Sequence, residues 1–554
     1  MTNEHTYNVS RRNFLAGAAA TAGLAALGLT GCGQAEAKPS YLPETWDGEA
    51  DVVVIGTGGA GLAATIEARN KGLEVITLEA SPEDVCGGNT RVSGNYVFIP
   101  DTPEQGTEYQ LALNGPYDVD PTLIEACMTA MSENKSWLED LDIELKEMPF
   151  ANPEFPGLPG SEGVKTYAVD GTAGKASLWN PLFELAQESG ATMLFDTRAT
   201  RLIYNPENRE VCGVKAGEKN YKARKGVIMA CGGFENNPAM IQDYYPTEGA
   251  AKVLFEGTPY NRGDGILMAQ DIGAQLWHMN AFAGTSSPRT FCENTESVNG
   301  VGTKFATKDW IYVGPDAKRF MYEESTKLAR HGRVKEKGAW PMQVFPNPTY
   351  VIAGANAMSG ECVLSAAAGH TFLGLHELFK ITDNAQAEEA GIIQSADTIE
   401  ALAEKIGLNA TTLAETLNTY NAAVAAGKDE EFHRGEEVIS NFAFDFTQSG
   451  DNNTSVGEGT VAVEAFPLEP IEGPFYAIEM RPGILNSQGG PKRNEYNQVL
   501  DFENNPIPRL YAAGELGTIF AYMYNGGGNV SEAVASGRVA ARHCADLEPW
   551  ETAE

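Results

Sequence analysis

Residues 51–80 read DVVVIGTGGAGLAATIEARNKGLEVITLEA, and this stretch decides the fold. Val52 to Ile55 have the continuous apolar character of a parallel strand that is buried on both faces. A glycine-rich turn follows, then a helical segment over about residues 62–71 and a second apolar run over 73–78. The succession of strand, turn, helix and strand predicts the start of an α/β domain built on a parallel sheet.

The turn, residues 56–61 (GTGGAG), has the GxGxxG pattern. Gly56 permits the tight turn, Gly58 lets the backbone approach a pyrophosphate, and Gly61 lets the helix pack on the strand. The N-terminus of the helix favours negative charge, and Glu79 follows the second strand, where a carboxylate can accept hydrogen bonds from a ribose. The unit therefore predicts dinucleotide binding, but it does not distinguish NAD from FAD.

The first 32 residues are interpreted as an export signal. Residues 10–15 (SRRNFL) precede an uncharged segment rich in Ala and Gly, which is typical of the twin-arginine route. The segment is too short and too weakly apolar to favour a membrane span. Residues 29–32 (LTGC) resemble a lipoprotein cleavage box and predict lipidation of Cys32. The alternative is a plain export signal with an incidental cysteine.

Composition narrows the class of partner. The chain has 40 Lys and Arg against 75 Asp and Glu, a formal charge of −35, which argues against a nucleic-acid partner. Beyond Cys32 the remaining cysteines form no CxxC or CxxCH, so covalent haem and common iron–sulfur spacings are absent from the sequence and no metal site is predicted. We expect these cysteines to be small buried residues.

Four further motifs point to a family. Together with the opening unit, the chain resembles the flavoprotein family of fumarate reductases, succinate dehydrogenase flavoprotein subunits and 3-ketosteroid dehydrogenases, over about residues 51–545. The motifs are residues 86–94 (CGGNTRVSG), 230–236 (ACGGFEN), 263–265 (GDG) and 510–515 (LYAAGE).

The resemblance implies that the dinucleotide is FAD. It places the second Gly-Gly pair at the isoalloxazine side, Asp264 in the cofactor region and Glu515 on the second ribose. Members with covalent flavin carry a histidine near Gly88 and Asn89, and none occurs here between Glu79 and Phe98, so we expect non-covalent FAD. The predicted cofactor-binding residues are Gly56, Gly58, Ala60, Gly61, Glu79, Gly88, Asn89, Thr90, Gly94, Gly232, Gly233, Asp264, Gly514, Glu515, Asn529 and Val530.

The resemblance also implies a Rossmann-like FAD-binding domain made of two separate segments, with an inserted α+β capping domain. The predicted boundaries are 1–32 signal, 33–50 linker, 51–279 first FAD-binding segment, 280–485 cap, 486–545 second FAD-binding segment and 546–554 tail. Within the cap, residues 395–407 predict an amphipathic helix with an N-cap at Asp397 and a stop at Gly407, and a second helix is predicted over about 410–425. The cap of such enzymes closes over the substrate and excludes water.

Residues that grip a dicarboxylate in fumarate reductases are absent from this chain. By motif alignment, the two family arginines fall on Ala306 and Asn525, and the two histidines fall on Thr285 and Asn486. Charge-assisted hydrogen bonds to a carboxylate contribute roughly 1.5–3 kcal/mol each, so fumarate and succinate are poor candidate substrates.

Residues 523–528 (MYNGGG) look instead like the substrate-ketone element of 3-ketosteroid dehydrogenases. The resemblance implies that the Tyr524 hydroxyl and the Gly528 amide donate to a substrate carbonyl. Polarising that carbonyl draws electrons from a conjugated C=C bond, so that hydride from flavin N5 reaches the β-carbon. Packing of Tyr524 against the flavin edge is the alternative, and Tyr522 is a weaker candidate donor.

The α-carbon also needs a proton. Arg330 and Arg333 follow residues 319–323 (RFMYE), where the cap of this family approaches the substrate, and they are the predicted catalytic partners of Tyr524. Tyr322, Lys308 and His331 are further candidates. Lys492 and Arg493 are candidates for receiving a substrate carboxylate.

The sequence therefore predicts an exported FAD-dependent ene-reductase of anaerobic respiration that acts on a small molecule with a carbonyl-conjugated double bond, such as a 3-ketosteroid-like enone. An acrylate-type acid as substrate and a dehydrogenase running in the opposite direction remain open. Without a nicotinamide motif or CxxCH, electrons are expected from a separate membrane cytochrome or quinol-linked donor. The lipid on Cys32 would hold the protein at a membrane surface.

Overall fold

The opening stretch forms the predicted unit in the computed structural model. The structure describes residues 39–148, 153–172, 174–245, 253–255, 257–284, 289–290, 302–303, 305–323, 329–334, 339–342, 345–365, 381–436, 438–440, 461–463 and 467–550. Residues Pro43–Glu554 form one unit, and Met1–Leu42 form another of which only residues 39–42 are described. The signal and Cys32 lie outside the described residues.

The chain up to residue 279 contains most of the helices. Its elements are β1 (Gly48–Ile55), α1 (Gly59–Asn70), β2 (Val75–Leu78), α2 (Gly88–Val92), β3 (Val97–Pro100), α3 (Pro103–Asn114), α4 (Pro121–Ser132), α5 (Asn134–Glu139), β4 (Leu145–Glu147), β5 (Val164–Val169), α6 (Trp179–Glu188), β6 (Thr192–Leu194), β7 (Ala199–Tyr204), β8 (Val211–Ala216), β9 (Lys219–Met229), α7 (Pro238–Tyr244), β10 (Leu254–Phe255), α8 (Asp264–Asp271) and β11 (Leu276–Trp277).

Short strands dominate the rest of the chain, and one long helix ends it. The elements are β12 (Phe282–Gly284), β13 (Arg289–Thr290), β14 (Gly302–Thr303), β15 (Trp310–Val313), β16 (Ala329–Arg330), β17 (Arg333–Val334), β18 (Thr349–Ala353), β19 (Leu364–Ser365), α9 (Asn384–Glu389), β20 (Ile393–Ala396), α10 (Ile399–Ile406), α11 (Ala410–Ala426), β21 (Val438–Ser440), β22 (Val461–Val463), β23 (Phe475–Arg481), β24 (Gly483–Ser487), β25 (Gly490–Pro491), β26 (Gln498–Leu500), β27 (Pro506–Ala512) and α12 (Gly528–Ala545).

The main sheet has a parallel centre with antiparallel margins. Strands β27, β9, β1, β2 and β6 are parallel neighbours in that order, with Val54 opposite Thr77 on one side and Ile228 on the other. Strand β26 pairs antiparallel with β27, and β7 and β8 extend from β9 as an antiparallel meander. The predicted parallel sheet is therefore a mixed one, because the short connections of these added strands permit only antiparallel pairing.

Helices α1 and α12 pack directly on each other beside the sheet. Almost every residue of α1 is buried, from Gly59 to Ala68. A side-chain carbon at Gly537 of α12 would overlap the carbonyl oxygen of Ala60, so glycine is required where the two backbones approach. This contact sets the middle of α12 against the first turn of α1.

A second sheet forms within the predicted cap. Strands β13, β23, β18 and β15 are antiparallel neighbours, and β20 also pairs with β23. Leu402 of α10 and Leu413, Leu417 and Tyr420 of α11 are buried against this sheet. These strands fall in residues 280–485 and those of the main sheet fall outside it, but the boundaries themselves stay a prediction.

The helices predicted in the cap are present, with one correction. The N-cap of α10 is Thr398, whose side chain accepts from the amide of Ala401, and not Asp397. Thr398 has the extended backbone that an N-cap needs and stands immediately before the first helical residue. Gly407 ends α10 at φ 74°, and α11 covers Ala410–Ala426, as predicted.

The expectation for the cysteines is confirmed where the structure describes them. Cys86, Cys127, Cys212 and Cys544 are buried, reduced thiols, and Cys231 and Cys362 are partly buried. Cys292 lies outside the described residues. None of the described helices has both the length and the apolar character that a membrane crossing requires.

Candidate active site

The N-terminus of α1 is built to receive an anion. A side-chain carbon at Gly61 would overlap the Gly56 carbonyl oxygen, which explains the glycine at that position. A side-chain carbon at Gly58 would meet only Gly87 O and Thr90 Oγ1, both at 3.8 Å, so space is open there. Helix α1 has no side-chain N-cap and no acidic residue in its first turn, and its N-terminus is therefore left to attract negative charge.

Glu79 is fixed at the end of β2. Its Oε2 accepts from the amide and hydroxyl of Thr57 at 2.9 and 2.5 Å, and its Oε1 accepts from the amide and hydroxyl of Ser81 at 2.9 and 3.0 Å. A carboxylate has about four acceptor positions, and these four donors occupy them, so Glu79 is rigidly held. Ribose hydroxyls would therefore have to take the place of the Thr57 or Ser81 hydroxyl in order to bind it. This is the position that the sequence predicted for it.

A buried pair of carboxyl groups lies beside the second Gly-Gly motif. A side-chain carbon at Gly233 would lie 2.8 Å from Glu235 Oε1 and 3.0 Å from Glu515 Oε1. Asn89 Nδ2 donates to both oxygens of Glu515, at 3.2 and 2.9 Å, and the Ser487 amide donates to Glu235 Oε1 at 2.7 Å. Burial raises the pKa of both carboxyl groups, and the neighbouring charge of Glu235 raises the pKa of Glu515 further, well above its usual range. The pair therefore holds a proton to higher pH than exposed carboxyl groups do.

Several buried polar atoms around this region fit a bound FAD. Asn261 Nδ2, Glu235 Oε2 and Asn529 Oδ1 have no hydrogen-bond partner in the described part of the chain. Helix α12, like α1, has neither a side-chain N-cap nor an acidic residue in its first turn. Orphaned donors and acceptors, and two helix ends whose N-cap residues are glycines, are the features that a long polar cofactor would satisfy.

The other predicted cofactor residues adjoin the same elements. Thr90 Oγ1 accepts from the Gly59 amide at 2.9 Å, and the Gly514 amide donates to Ser536 Oγ at 2.9 Å. Asp264 begins α8 and is ion-paired with Arg198. Ala60 and Val530 lie in the first turns of α1 and α12, Gly88 in α2, Gly94 just beyond α2, and Gly232 just beyond β9.

Tyr524 lies at the N-terminus of α12. Its hydroxyl oxygen accepts from the Asn529 amide at 3.4 Å. Its ring packs edge-on against Phe520 and His331, with ring centroids 5.1 and 4.7 Å apart. A tyrosine hydroxyl that accepts a hydrogen bond still carries a proton to donate.

The predicted role of Gly528 is not supported. Its amide donates to the carbonyl oxygen of Asn525 at 3.0 Å, inside the turn that leads into α12. This turn bond gives the amide an acceptor within the chain, so the structure does not present it to a substrate carbonyl beside Tyr524.

Arg333 is a buried cation with an unusual environment. Its Nη1 donates to the Trp340 carbonyl oxygen at 2.9 Å, and its guanidinium lies 4.4 Å from the centre of the Tyr522 ring. In the described part of the chain no carboxylate pairs with it and its Nε lacks a partner. Burial accordingly lowers the pKa of Arg333. The side chain of Arg330 lies outside the described residues.

Arg493 is not available to a substrate. It is 1% exposed and ion-paired with the equally buried Glu532, and its Nη1 donates to the Ala512 carbonyl oxygen at 3.1 Å. Lys492 points to the surface, where its Nζ donates to Asn504 Oδ1 at 2.7 Å. The prediction that either residue receives a substrate carboxylate is therefore wrong, because Arg493 is already paired with a buried carboxylate and Lys492 lies at the surface.

The positions that replace the dicarboxylate residues have local roles. Asn525 Oδ1 accepts from Tyr109 Oη and from the Glu154 amide, at 2.8 and 3.1 Å. Asn486 is buried and donates to the Ser487 carbonyl oxygen, and Ala306 bonds through its backbone to Ala357. Thr285 lies outside the described residues.

Three of the weaker candidates also have other contacts. The Tyr522 hydroxyl accepts from the Trp340 amide at 2.8 Å, and the Lys308 amide donates to Glu469. Tyr322 directly precedes Glu323, which forms a buried ion pair with Arg319. The sequence reasoning missed Glu154, which contacts His331 and the Gly526 amide and which no motif signals; Glu235 lay inside a recognised motif but was given no role.

Comparisons with known proteins agree with this arrangement. A family profile described as "FAD binding domain" matches residues 51–531. The chain is 27% identical to a probable fumarate reductase of Shewanella frigidimarina, over 89% of this chain and 75% of that protein, and 27% identical to the 3-oxosteroid 1-dehydrogenase of Mycobacterium tuberculosis, over 90% and 98%. The crystal structure of 3-ketosteroid delta1-dehydrogenase from Sterolibacterium denitrificans superposes with a TM-score of 0.66 at 22% identity, covering 90% of this chain and 99% of that one.

The open space at Gly58 yields the first prediction. In Gly58→Ala the new methyl meets nothing within the chain closer than 3.8 Å, so the free energy of unfolding of the apoprotein should change by no more than about 0.5 kcal/mol. FAD affinity should fall at least about tenfold, because the methyl occupies the path of the pyrophosphate. Titration calorimetry and urea unfolding measure the two effects. Gly360→Ala, whose methyl would meet only Ala306 at 4.0 Å, is the matched control. Undiminished FAD affinity in Gly58→Ala would contradict the assignment.

The buried carboxyl pair predicts a pH dependence of stability. Its raised pKa means that the folded state holds a proton that the unfolded state releases, so stability falls as pH rises above the usual carboxyl range. The slope for one such proton is about 1.4 kcal/mol per pH unit. Glu235→Gln should make the slope shallower, and Glu125→Gln, at an exposed position, should leave it unchanged. Urea unfolding with excess FAD between about pH 5 and about pH 8 tests this; equal slopes in all three proteins would refute the shared proton.

Proposed function

This chain belongs to the FAD binding domain family and is an FAD-dependent oxidoreductase, and from that premise we propose that it reduces a carbon–carbon double bond conjugated to a carbonyl group. The relatives named above are a fumarate reductase and a 3-oxosteroid dehydrogenase, whose reactions concern CH–CH bonds. FAD, bound without a covalent link, would supply the hydride from its N5 atom to the β-carbon. The substrate is a small molecule, and a 3-ketosteroid-like enone is the preferred class.

The observation that carries this proposal is the position of the Tyr524 hydroxyl. It lies at the positive end of the α12 dipole and accepts an amide hydrogen there, so its own O–H is polarised toward a second acceptor. A substrate carbonyl in that position gains negative charge as hydride reaches the β-carbon. The hydroxyl and the helix end both stabilise that charge.

The surroundings of Tyr524 favour a neutral substrate with apolar surface. Phe520 presents its ring to it, and Phe155 and Trp340 belong to the same hydrophobic cluster and pack edge-on with ring centroids 5.6 Å apart. The positions that bind a dicarboxylate in fumarate reductases are here taken by residues such as Asn525, whose side chain is committed inside the chain.

A second candidate substrate, an acrylate-type acid, is favoured by Arg333. A buried guanidinium that meets no carboxylate among the described residues is suited to receive one from a ligand. Arg333 also lies on the hairpin that packs against Tyr524. In this version the reaction is unchanged, and Arg333 holds the carboxylate of the substrate.

The proposal also includes the direction of the reaction and the source of its electrons. Reduction is the proposed direction in the cell, and the reverse dehydrogenase reaction would require an electron acceptor of higher potential than the flavin. A separate donor, a membrane cytochrome or a quinol-linked protein, is proposed because the sequence contains a single GxGxxG unit after a strand and no haem-attachment motif. The role would be one in anaerobic respiration.

We also propose export by the twin-arginine route and a lipid anchor on Cys32, on the basis of residues 10–15 and 29–32. Cys32→Ser should move the protein from the membrane fraction of producing cells to the soluble extracytoplasmic fraction. Immunoblotting of the fractions tests this, with Cys292→Ser as the matched cysteine control. Retention of the Cys32→Ser protein on the membrane would contradict the anchor.

The function is tested with two substrates that share one skeleton, an aryl enone and the corresponding aryl acrylate. Dithionite-reduced enzyme is mixed anaerobically with each, and reoxidation is followed by flavin absorbance. The enone should reoxidise the flavin, and Tyr524→Phe should slow this about 10²–10³-fold with FAD content unchanged. Arg333→Met should raise KM for the acid alone if the acid is a substrate. Failure of both compounds, and of 3-keto-4-ene steroids, would refute the proposed reaction.

A further inference from the structure

We propose that His331, held by Glu154, is the acid that protonates the α-carbon of the substrate. The inference rests on the proposed ene-reduction and supplies its second half, the delivery of a proton. It is carried by a buried histidine–carboxylate pair beside Tyr524.

The hairpin between β16 and β17 fixes His331. Its two turn residues, His331 and Gly332, both have positive φ, 48° and 75°, the combination that joins two strands by the tightest hairpin turn. The His331 carbonyl oxygen accepts from the Gly284 amide at 2.9 Å, and a side-chain carbon at Gly332 would lie 2.9 Å from Gly284 Cα. A histidine seldom adopts this backbone, and here the close contact with β12 holds it there.

Glu154 is the buried carboxylate partner of His331. The Nε2 atom of His331 lies 2.9 Å from Glu154 Oε2, and the two side chains are 8% and 3% exposed. Glu154 Oε2 also accepts from the Gly526 amide at 2.7 Å, and the Glu154 amide donates to Asn525 Oδ1. The carboxylate is thus anchored to the loop that carries Tyr524, and it stabilises an imidazolium whose other nitrogen, Nδ1, can donate a proton.

The pair lies where the proton is needed. The carbonyl oxygen and the α-carbon of an enone are two bonds apart, and the His331 ring packs against the ring of Tyr524, the proposed carbonyl donor. Of the other groups at this loop, Arg333 donates to the Trp340 carbonyl oxygen and the Tyr522 hydroxyl accepts from the Trp340 amide, so both are held by Trp340, whereas His331 is paired with a carboxylate. Glu154 is engaged with His331 and Gly526, so His331 is the member of the pair that carries the transferable proton.

The chemistry balances as follows. Hydride adds to the β-carbon, the C=C electrons move toward the carbonyl, and an enolate forms. The Nδ1–H bond of His331 then breaks, its proton bonds to the α-carbon through the enolate electron pair, and the C=O bond is restored. The substrate has gained two electrons and two hydrogens, and neutral His331 takes up a proton from water.

The test separates proton delivery from every other function of the protein. FAD-loaded enzyme is reduced with dithionite and mixed anaerobically either with the enone or acrylate that oxidises wild type, or with ferricyanide, which takes electrons without forming a C–H bond. In His331→Gln, whose amide can still donate to Glu154, reoxidation by substrate should fall about 10²–10⁴-fold while reoxidation by ferricyanide stays within about twofold. His433→Gln is the matched control, because His433 makes the same pairing with Glu436, at 3.3 Å, on the exposed surface.

A second variant keeps the test decisive if His331→Gln loses FAD or does not fold. Glu154→Gln keeps a side chain of the same shape but removes the charge that stabilises the imidazolium, and it should slow reoxidation by substrate at least about tenfold and leave ferricyanide unaffected. Substrate reoxidation at the wild-type rate in either folded variant would overturn the role of His331, and so would an equal loss with both oxidants. If wild type itself responds to ferricyanide but to no enone or acrylate, the proposed function fails, and the inference fails with it.

Discussion

The close approach of the Gly56 carbonyl to Gly61 is the constraint on which the rest of the structure depends. With no room for a side chain at Gly61, the chain reverses from β1 into α1 within a few residues, and the N-terminus of α1 is left at the edge of the sheet. Glu79 ends the adjacent strand at that same edge. A second close approach, of Gly537 to the Ala60 backbone, then sets α12 across the first turn of α1. The start of α1 and Glu79 therefore share one edge of the sheet, and the middle of α12 packs against that start.

The second consequence concerns charge. Helix ends without acidic caps attract electron-rich groups, but the region also contains the buried carboxyl groups of Glu235 and Glu515. A retained proton reconciles the two, because a pair that holds one proton can donate as well as accept. The charge of the site therefore depends on the protonation of Glu235 and Glu515 as well as on which residues are present. The same reasoning applies to His331 and Glu154, where a buried carboxylate lies 2.9 Å from the imidazole and would stabilise its protonated form.

Sequence patterns predicted the elements whose backbone conformation is determined by a short continuous stretch of residues. The βαβ start, Glu79, and helices α10 and α11 follow from glycine spacing, apolar runs and capping residues, all of which act within a few residues. The antiparallel margins of the sheet were not predicted: β7, β8 and β9 are consecutive strands, as are β26 and β27, but no strand was predicted over residues 199–216 or 498–500 from which their pairing could be inferred. Contacts between segments far apart in the chain carry no local signal at all. The ion pair of Arg493 could not be predicted for this reason: its partner Glu532 is 39 residues away, and no motif near either residue indicates the pairing. Glu154 lies 177 residues before His331, in a loop without a motif.

The buried arginines differ in whether the chain itself supplies a carboxylate that neutralises their charge. Arg493 meets Glu532, and Arg319 meets Glu323 and Asp429, so in both cases the chain itself supplies the compensating charge. A buried cation without such a partner is costly, and the cost is reduced at Arg333 only by the face of Tyr522 and one carbonyl oxygen among the described residues. An oxygen-bearing substrate would relieve that cost on binding, whether it brought a carbonyl or a carboxylate. The Arg333 guanidinium and the Tyr524 hydroxyl would then both bind the oxygen-bearing end of the substrate. Selectivity for the other end of the substrate would depend on its shape and its apolar contacts.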